Sequence, residues 1–168
     1  RDARANISNH AKAYFCLHIH TNSTASKVTA PGAETYTLGM HRAADNLEVA
    51  KRENSVITLE SNYEEKYEGF DPRSSESYII FELMQDQNMA QSVRLAKMVQ
   101  EQFRSVAGRV DKGVHQAGFL VLRATSMPSV LVELGYINNP NEETYLNSAS
   151  GIQAMAKSVY RAFEAYRK

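Results

Sequence analysis

Glu133 is the residue whose setting most suggests chemistry. It ends the Val130-Leu131-Val132 stretch of the run Ser129-Val130-Leu131-Val132-Glu133-Leu134-Gly135, which follows Pro128 and reads as a strand buried on both faces, as in a parallel sheet covered by helices. A carboxylate among such neighbours is costly to bury unless it is paired, protonated or beside a metal. Ligands of open α/β sheets gather at the carboxyl ends of strands, so position alone makes Glu133 a general acid/base candidate. The plainer alternative is an acid that accepts hydrogen bonds from backbone amides at a strand end.

His18 and His20 come next. They lie two apart in Tyr14-Phe15-Cys16-Leu17-His18-Ile19-His20, so on a strand they share a face and could hold a metal. The spacing alone is weakly specific. His20 sits at the strand end beside Thr21 and Asn22, where a site would lie, whereas His18 is one pair deeper and reads as a packed histidine. His10, His41 and His115 have no partner at ligand spacing and read as surface residues or as support behind a site. Cys16 is the single cysteine, so no disulfide framework exists, and Phe15 and Leu17 beside it suggest a buried thiol. The chain has no His-Glu-x-x-His helix, no Cys-x-x-Cys pair, no phosphate-binding glycine loop and no Gly-x-Ser-x-Gly elbow around Ser129.

These residues need elements to position them. Residues 2–12 read as a short helix and 14–20 as a core strand, followed by a loop over 23–33 and a short strand from Glu34 to Leu38. Residues 40–75 read as an insertion: Leu47, Ala50, Asn54 and Ile57 have helical spacing, and Gly69-Phe70-Asp71-Pro72 is a turn. A long helix is expected from about Ser77 to Val106, with Phe81, Met84, Val93, Met98, Val99 and Phe103 on its apolar stripe. Ala117 to Arg123 reads as a strand, and Gly151 to Tyr166 as a closing amphipathic helix. Strands separated by helices predict an α/β fold, with a mixed or mostly parallel central sheet and helices on both faces.

Composition narrows the class further. The 168 residues suit a single domain, 1–168, carrying the insertion at about 40–75. Nineteen basic and nineteen acidic residues balance, which gives no reason to expect nucleic acid or an acidic membrane surface as partner. No apolar run approaches the roughly 18–20 residues that span a bilayer, so no transmembrane segment is expected. The opening Arg1-Asp2-Ala3-Arg4 is not a signal peptide, which fits a processed or trimmed chain.

Together these segments resemble the zinc-dependent N-acetylmuramoyl-L-alanine amidases. The match runs through Arg4-Ala5-Asn6, Leu17-His18-Ile19-His20-Thr21-Asn22, Gly32-Ala33-Glu34-Thr35-Tyr36 and Phe119-Leu120-Val121-Leu122-Arg123. It is most specific over Met127-Pro128-Ser129-Val130-Leu131-Val132-Glu133-Leu134-Gly135-Tyr136-Ile137-Asn138-Asn139, with Glu142 and Leu146 following. The resemblance implies a peptidoglycan hydrolase that cleaves the amide between N-acetylmuramic acid and the L-alanine of the stem peptide through a zinc-activated water. It assigns His20 as a Zn2+ ligand, Glu133 as the catalytic carboxylate and Asn22 as a residue shaping the site. At His18 the relatives usually have serine. The resemblance also implies export to the periplasm or cell envelope.

Two departures matter. The family's His-Gly-Gly strand and following glutamate, which supply the other zinc ligands, are not in these residues, so the resemblance implies that those ligands and the N-terminal strands lie upstream. The insertion falls where division-associated members carry a helix that covers the site, with an acidic residue on the zinc. Glu53 is the autoinhibitory candidate, with Glu48 and Glu60 behind it, and an activator protein would then relieve the block. The alternative is a non-catalytic peptidoglycan-binding or amidase-activating module of the same fold. A zinc carboxypeptidase is a third reading.

Overall fold

The computed structural model describes residues 3–23, 31–41, 44–82 and 87–168. Four strands form one sheet: β1 (Cys16–Asn22), β2 (Ala33–Leu38), β3 (Asp111–Ala117) and β4 (Ser129–Tyr136), in the order β1-β4-β2-β3. β1 runs parallel to β4 and β2 parallel to β3, while β4 and β2 are antiparallel. The sheet is therefore mixed, one of the two arrangements expected for the α/β fold. β4 is buried on both faces because it is a central strand, whatever the direction of its neighbours.

Its side chains alternate between two cores. Val130 and Val132 pack against α4 (Met89–Ser105) and α7 (Ala149–Tyr166) through Leu95, Val99, Phe103 and Met155. Leu131 faces the other way, into a core with Tyr36, Val49, Ala50, Ile57, Phe70, Tyr78 and Phe119. That second layer comprises α2 (Ala44–Asn54), the 3-10 turns Ser55–Leu59 and Ser75–Glu82, and the short α5 (Leu120–Arg123). Helical elements thus cover both faces. Segment 40–75, read as an insertion, contributes Val49, Ala50, Ile57 and Phe70 to the main core, so it is integral to the packing. The remaining helices are α1 (Ala3–His10), α3 (Tyr63–Lys66) and α6 (Pro140–Asn147).

Local chemistry explains several boundaries. Pro140 opens α6 behind an Asn139 cap whose side chain accepts from the Asn141 amide. Ser148 caps α7 by accepting from the Gly151 amide. A side chain at Gly151 would strike the Tyr145 carbonyl, so only glycine fits between the two helices.

Other expectations are corrected. Leu120–Arg123 is a turn of helix, and the preceding strand is Asp111–Ala117; a short apolar run does not by itself tell strand from buried helix. The long helix begins at Met89, with Phe81 on the separate 3-10 turn; Met84 lies outside the described residues, as does most of the loop expected over 23–33. Cys16 is half-buried, within 3.3 Å of His18 Nε2. Among the described residues no helix is long and apolar enough to cross a membrane.

Candidate active site

The sheet register builds the site. His20 on β1 and Glu34 on β2 both pair with Glu133 on β4, so one row across three strands carries an imidazole and two carboxylates. Glu133 shares the face of Leu131, beneath α2. That helix brings Glu53 down onto the row, where His20 Nδ1 donates to Glu53 Oε2 at 2.6 Å. One ligand atom each from His20, Glu53 and Glu133 lie within 4.8 Å of one another, a grouping able to hold a metal ion. A cavity of about 20 Å³ opens beside Arg4, His20 and Glu53, roughly the room one water needs.

Glu133 is 0% exposed, and neither carboxylate oxygen has a hydrogen-bond partner. Burial, the Glu53 charge and then the Glu34 charge outweigh Arg52 and push its pKa up to about 8. Glu53 goes the opposite way. Burial works to raise its pKa, but the hydrogen bond and charge of His20, with help from Arg52, hold the carboxyl below its ordinary range.

Asn22 links the row to α2. Its Nδ2 donates to Glu34 Oε1 at 2.5 Å, and its Oδ1 accepts from Arg52 Nη2 at 2.6 Å. Tyr136 OH also donates to Glu34 Oε1, at 3.0 Å, and His115 Nε2 lies 3.6 Å from Glu34 Oε2. His115, which has no ligand spacing in the sequence, therefore stands behind the site. Glu48 pairs with Lys51 and Glu60 with Lys66, both away from the cluster; His10 is exposed. Sequence reasoning missed Glu34 and Arg52. The alternation Glu34-Thr35-Tyr36 could have flagged Glu34 as facing the same core as Tyr36, whereas Arg52 carries no signal beyond its helix. A larger apolar groove of about 660 Å³ between β1, α6 and α7 contains Ile137, Ile152, Met155 and Tyr160, and is separate from this cluster.

The raised Glu133 pKa has a stability consequence in metal-free protein. The folded state holds the proton more tightly than the unfolded chain, so this contribution is complete below about pH 4.5 and is lost as pH rises towards 8. Urea unfolding of metal-free protein should lose about 4 kcal/mol between pH 5 and 8.5 relative to Glu133→Gln. Parallel pH profiles for the two proteins would contradict the assignment.

Comparison with known proteins adds to this geometry. The family model described as N-acetylmuramoyl-L-alanine amidase matches residues 1–165. The N-acetylmuramoyl-L-alanine amidase AmiC of Escherichia coli O6:H1 (strain CFT073) is 33% identical over 97 residues, which is 56% of this chain and 23% of that protein. Matches to the first curated relatives span less than a third of their length. An N-acetylmuramoyl-L-alanine amidase of Clostridium difficile 630 superposes with a TM-score of 0.64 at 22% identity, over 98% of this chain and 63% of that one. The CwlD amidase of Clostridioides difficile, solved with the GerS lipoprotein, gives a TM-score of 0.62 at 18% identity, over 98% of this chain and 59% of its own. These structures share the fold, and the family match over residues 1–165 gives the classification: the chain belongs to the N-acetylmuramoyl-L-alanine amidase family.

Proposed function

We propose that this chain is catalytic-domain sequence of a zinc-dependent peptidoglycan amidase, acting on the amide between N-acetylmuramic acid and L-alanine at the cell envelope. The observation that carries the reading is Glu133, fully buried with two unpartnered oxygens, beside His20 and Glu53. A carboxylate left this way in a low-dielectric setting needs a proton or a cation. Imidazole and carboxylate donors suit Zn2+, so the residues fit the metal. His20 would hold it, with Glu53 as a second contact while α2 is closed. Zinc bound there would acidify a water and polarise the scissile carbonyl.

The rest of the mechanism belongs to the chain. Glu133 takes a proton from the attacking water as oxygen bonds to the lactyl carbonyl carbon. It then passes that proton to the alanine nitrogen as the C–N bond breaks, leaving a muramyl carboxylate and a free stem peptide. A group that must both accept and donate a proton works best with a pKa near the operating pH, and burial moves Glu133 in that direction. Asn22 holds the rim of the site by joining β1 to Glu34.

Glu53 is the autoinhibitory residue of this proposal. It occupies the space next to His20, and α2 roofs the row where a muropeptide would lie. Removing the whole segment would open the core that Val49, Ile57 and Phe70 help to fill, so a point change is the cleaner test. In zinc-loaded protein, Glu53→Ala should raise unstimulated peptidoglycan hydrolysis about tenfold, the scale of removing one charge-assisted contact. Equal rates would sink the autoinhibitory role. An activating protein would draw α2 off the cleft. Released stem peptide marks an amidase, and loss of single terminal amino acids marks a carboxypeptidase.

A further inference from the structure

We propose that Arg52 is the latch that holds α2 closed over the cleft, and that Asn54 is the pivot about which the helix opens. The inference rests on the reading of α2 as a cover and adds the residues that set its position. Two arms of the Arg52 guanidinium grip the end of β1: Nη2 donates to Asn22 Oδ1 at 2.6 Å and Nη1 donates to the Ser23 carbonyl. A planar fork that engages two acceptors at once is specific to arginine. Its Nε lies 3.5 Å from Glu53 Oε1, so the same side chain steadies the carboxylate presented to His20.

What Arg52 grips is itself fixed. Asn22 is 1% exposed, and its other amide atom is committed to Glu34, which also accepts from Tyr136. Pulling on Arg52 therefore meets the sheet, through three strands. Asn54, two residues further along, is tied to a different part of the fold. Its Nδ2 donates to the Gly118 carbonyl at 2.7 Å and to Tyr78 OH at 3.1 Å, and its Oδ1 accepts from the Leu120 amide at 2.9 Å.

The two anchors differ in strength. Asn54 is buried with all its bonds inside the protein, and breaking them would strand polar groups away from water. The Arg52 side chain is about a third exposed, so water can replace its partners as they part. The weaker anchor lies at the cleft and the stronger one at the far side of the last turn. With Arg52 released, the bond from His20 is, among the described residues, the one tie left to Glu53 at the cleft, while Asn54 keeps the helix attached.

Amide hydrogen exchange on the full-length, zinc-loaded protein tests this without needing turnover. Arg52→Ala should speed exchange across residues 44–53 on the order of tenfold, with α4 and α7 unchanged. Arg52→Lys, which keeps the charge but not the fork, should show most of the same increase. Asn22→Ala should speed α2 exchange as well, and combining it with Arg52→Ala should give less than the product of the two effects. Unchanged α2 exchange in Arg52→Ala would overturn the latch, as would an increase shared equally by α4 and α7, which reports general loss of stability. Should Asn22→Ala not fold, the two Arg52 variants decide the matter alone. Flat exchange with intact muropeptide hydrolysis rejects the latch and spares the amidase reading; faster α2 exchange in a protein without hydrolysis does the reverse.

Discussion

Glu133→Gln should lower muropeptide amide hydrolysis by about 10³-fold while zinc content stays at the wild-type level. Glutamine keeps the shape of the side chain in a site with no spare room, since Glu133 is fully buried between β1 and β2. It cannot accept and return a proton. The loss should fall on kcat, because the carboxylate acts on protons that move only during reaction. Chromatography of digested peptidoglycan together with metal analysis of the same sample checks both halves. Retained turnover would remove Glu133 from its role, and loss of zinc together with activity would recast it as a ligand. A wild-type protein that binds zinc and peptidoglycan yet releases no stem peptide would favour the non-catalytic alternative.

The second large effect concerns stability. Arg109 and Glu142 form a buried ion pair, with side chains 8% and 3% exposed. Arg109 also donates to the Leu134 carbonyl at 3.3 Å and lies over the Tyr145 ring at 4.7 Å. Glu142 fills the space beside Gly135, where any side chain would collide with its carboxylate. Arg109→Met should destabilise the fold by about 3–5 kcal/mol in urea unfolding, because it leaves a buried carboxylate without its cation. Arg109→Met with Glu142→Leu should recover most of that loss, since neither charge then remains to be desolvated. A double variant as unstable as the single one would show that packing, and not the unpaired charge, sets the cost. The pair packs against Gly135, two residues beyond Glu133 on β4, so it also fixes the strand end that carries the site.

Much of this was legible in the residues. Glu133 stands out because an acid in a Val-Leu-Val run must be explained, and His20 because it ends a strand beside polar residues. The structure puts both in one row, as register partners. The closing helix was legible because Ile152, Met155, Ala156, Val159 and Phe163 recur at helical spacing along it. β3 was not: Asp-Lys-Gly-Val-His-Gln-Ala has no alternating pattern, and its neighbour Gln100 supplies polar contacts to Asp111 and the Gly113 carbonyl in place of an apolar face. Leu120–Arg123 misled for the opposite reason, since a single buried helical turn is as apolar as a core strand. Glu53 could be named from its helix and the family resemblance. The tie between Arg52 and Asn22 could not, because it joins residues thirty apart through a contact that leaves no periodic trace.

The strand order has a consequence for how the protein is made. β1 and β2 are synthesised in succession but never touch as partners; β4, more than ninety residues later than β2, slots between them. In the described sheet β1 pairs with β4 alone, so until the residues from Ser129 onward are made β1 lacks this partner. Such long-range pairing is slow, and the waiting strands are exposed to aggregation. His20 and Glu53 can meet early, but the pocket has no Glu133 until the central strand arrives. Assembly of the sheet and completion of the site are therefore the same late event, and a ribosome paused before residue 129 should carry a chain that chaperones recognise and in which the grouping of His20, Glu53 and Glu133 is still incomplete.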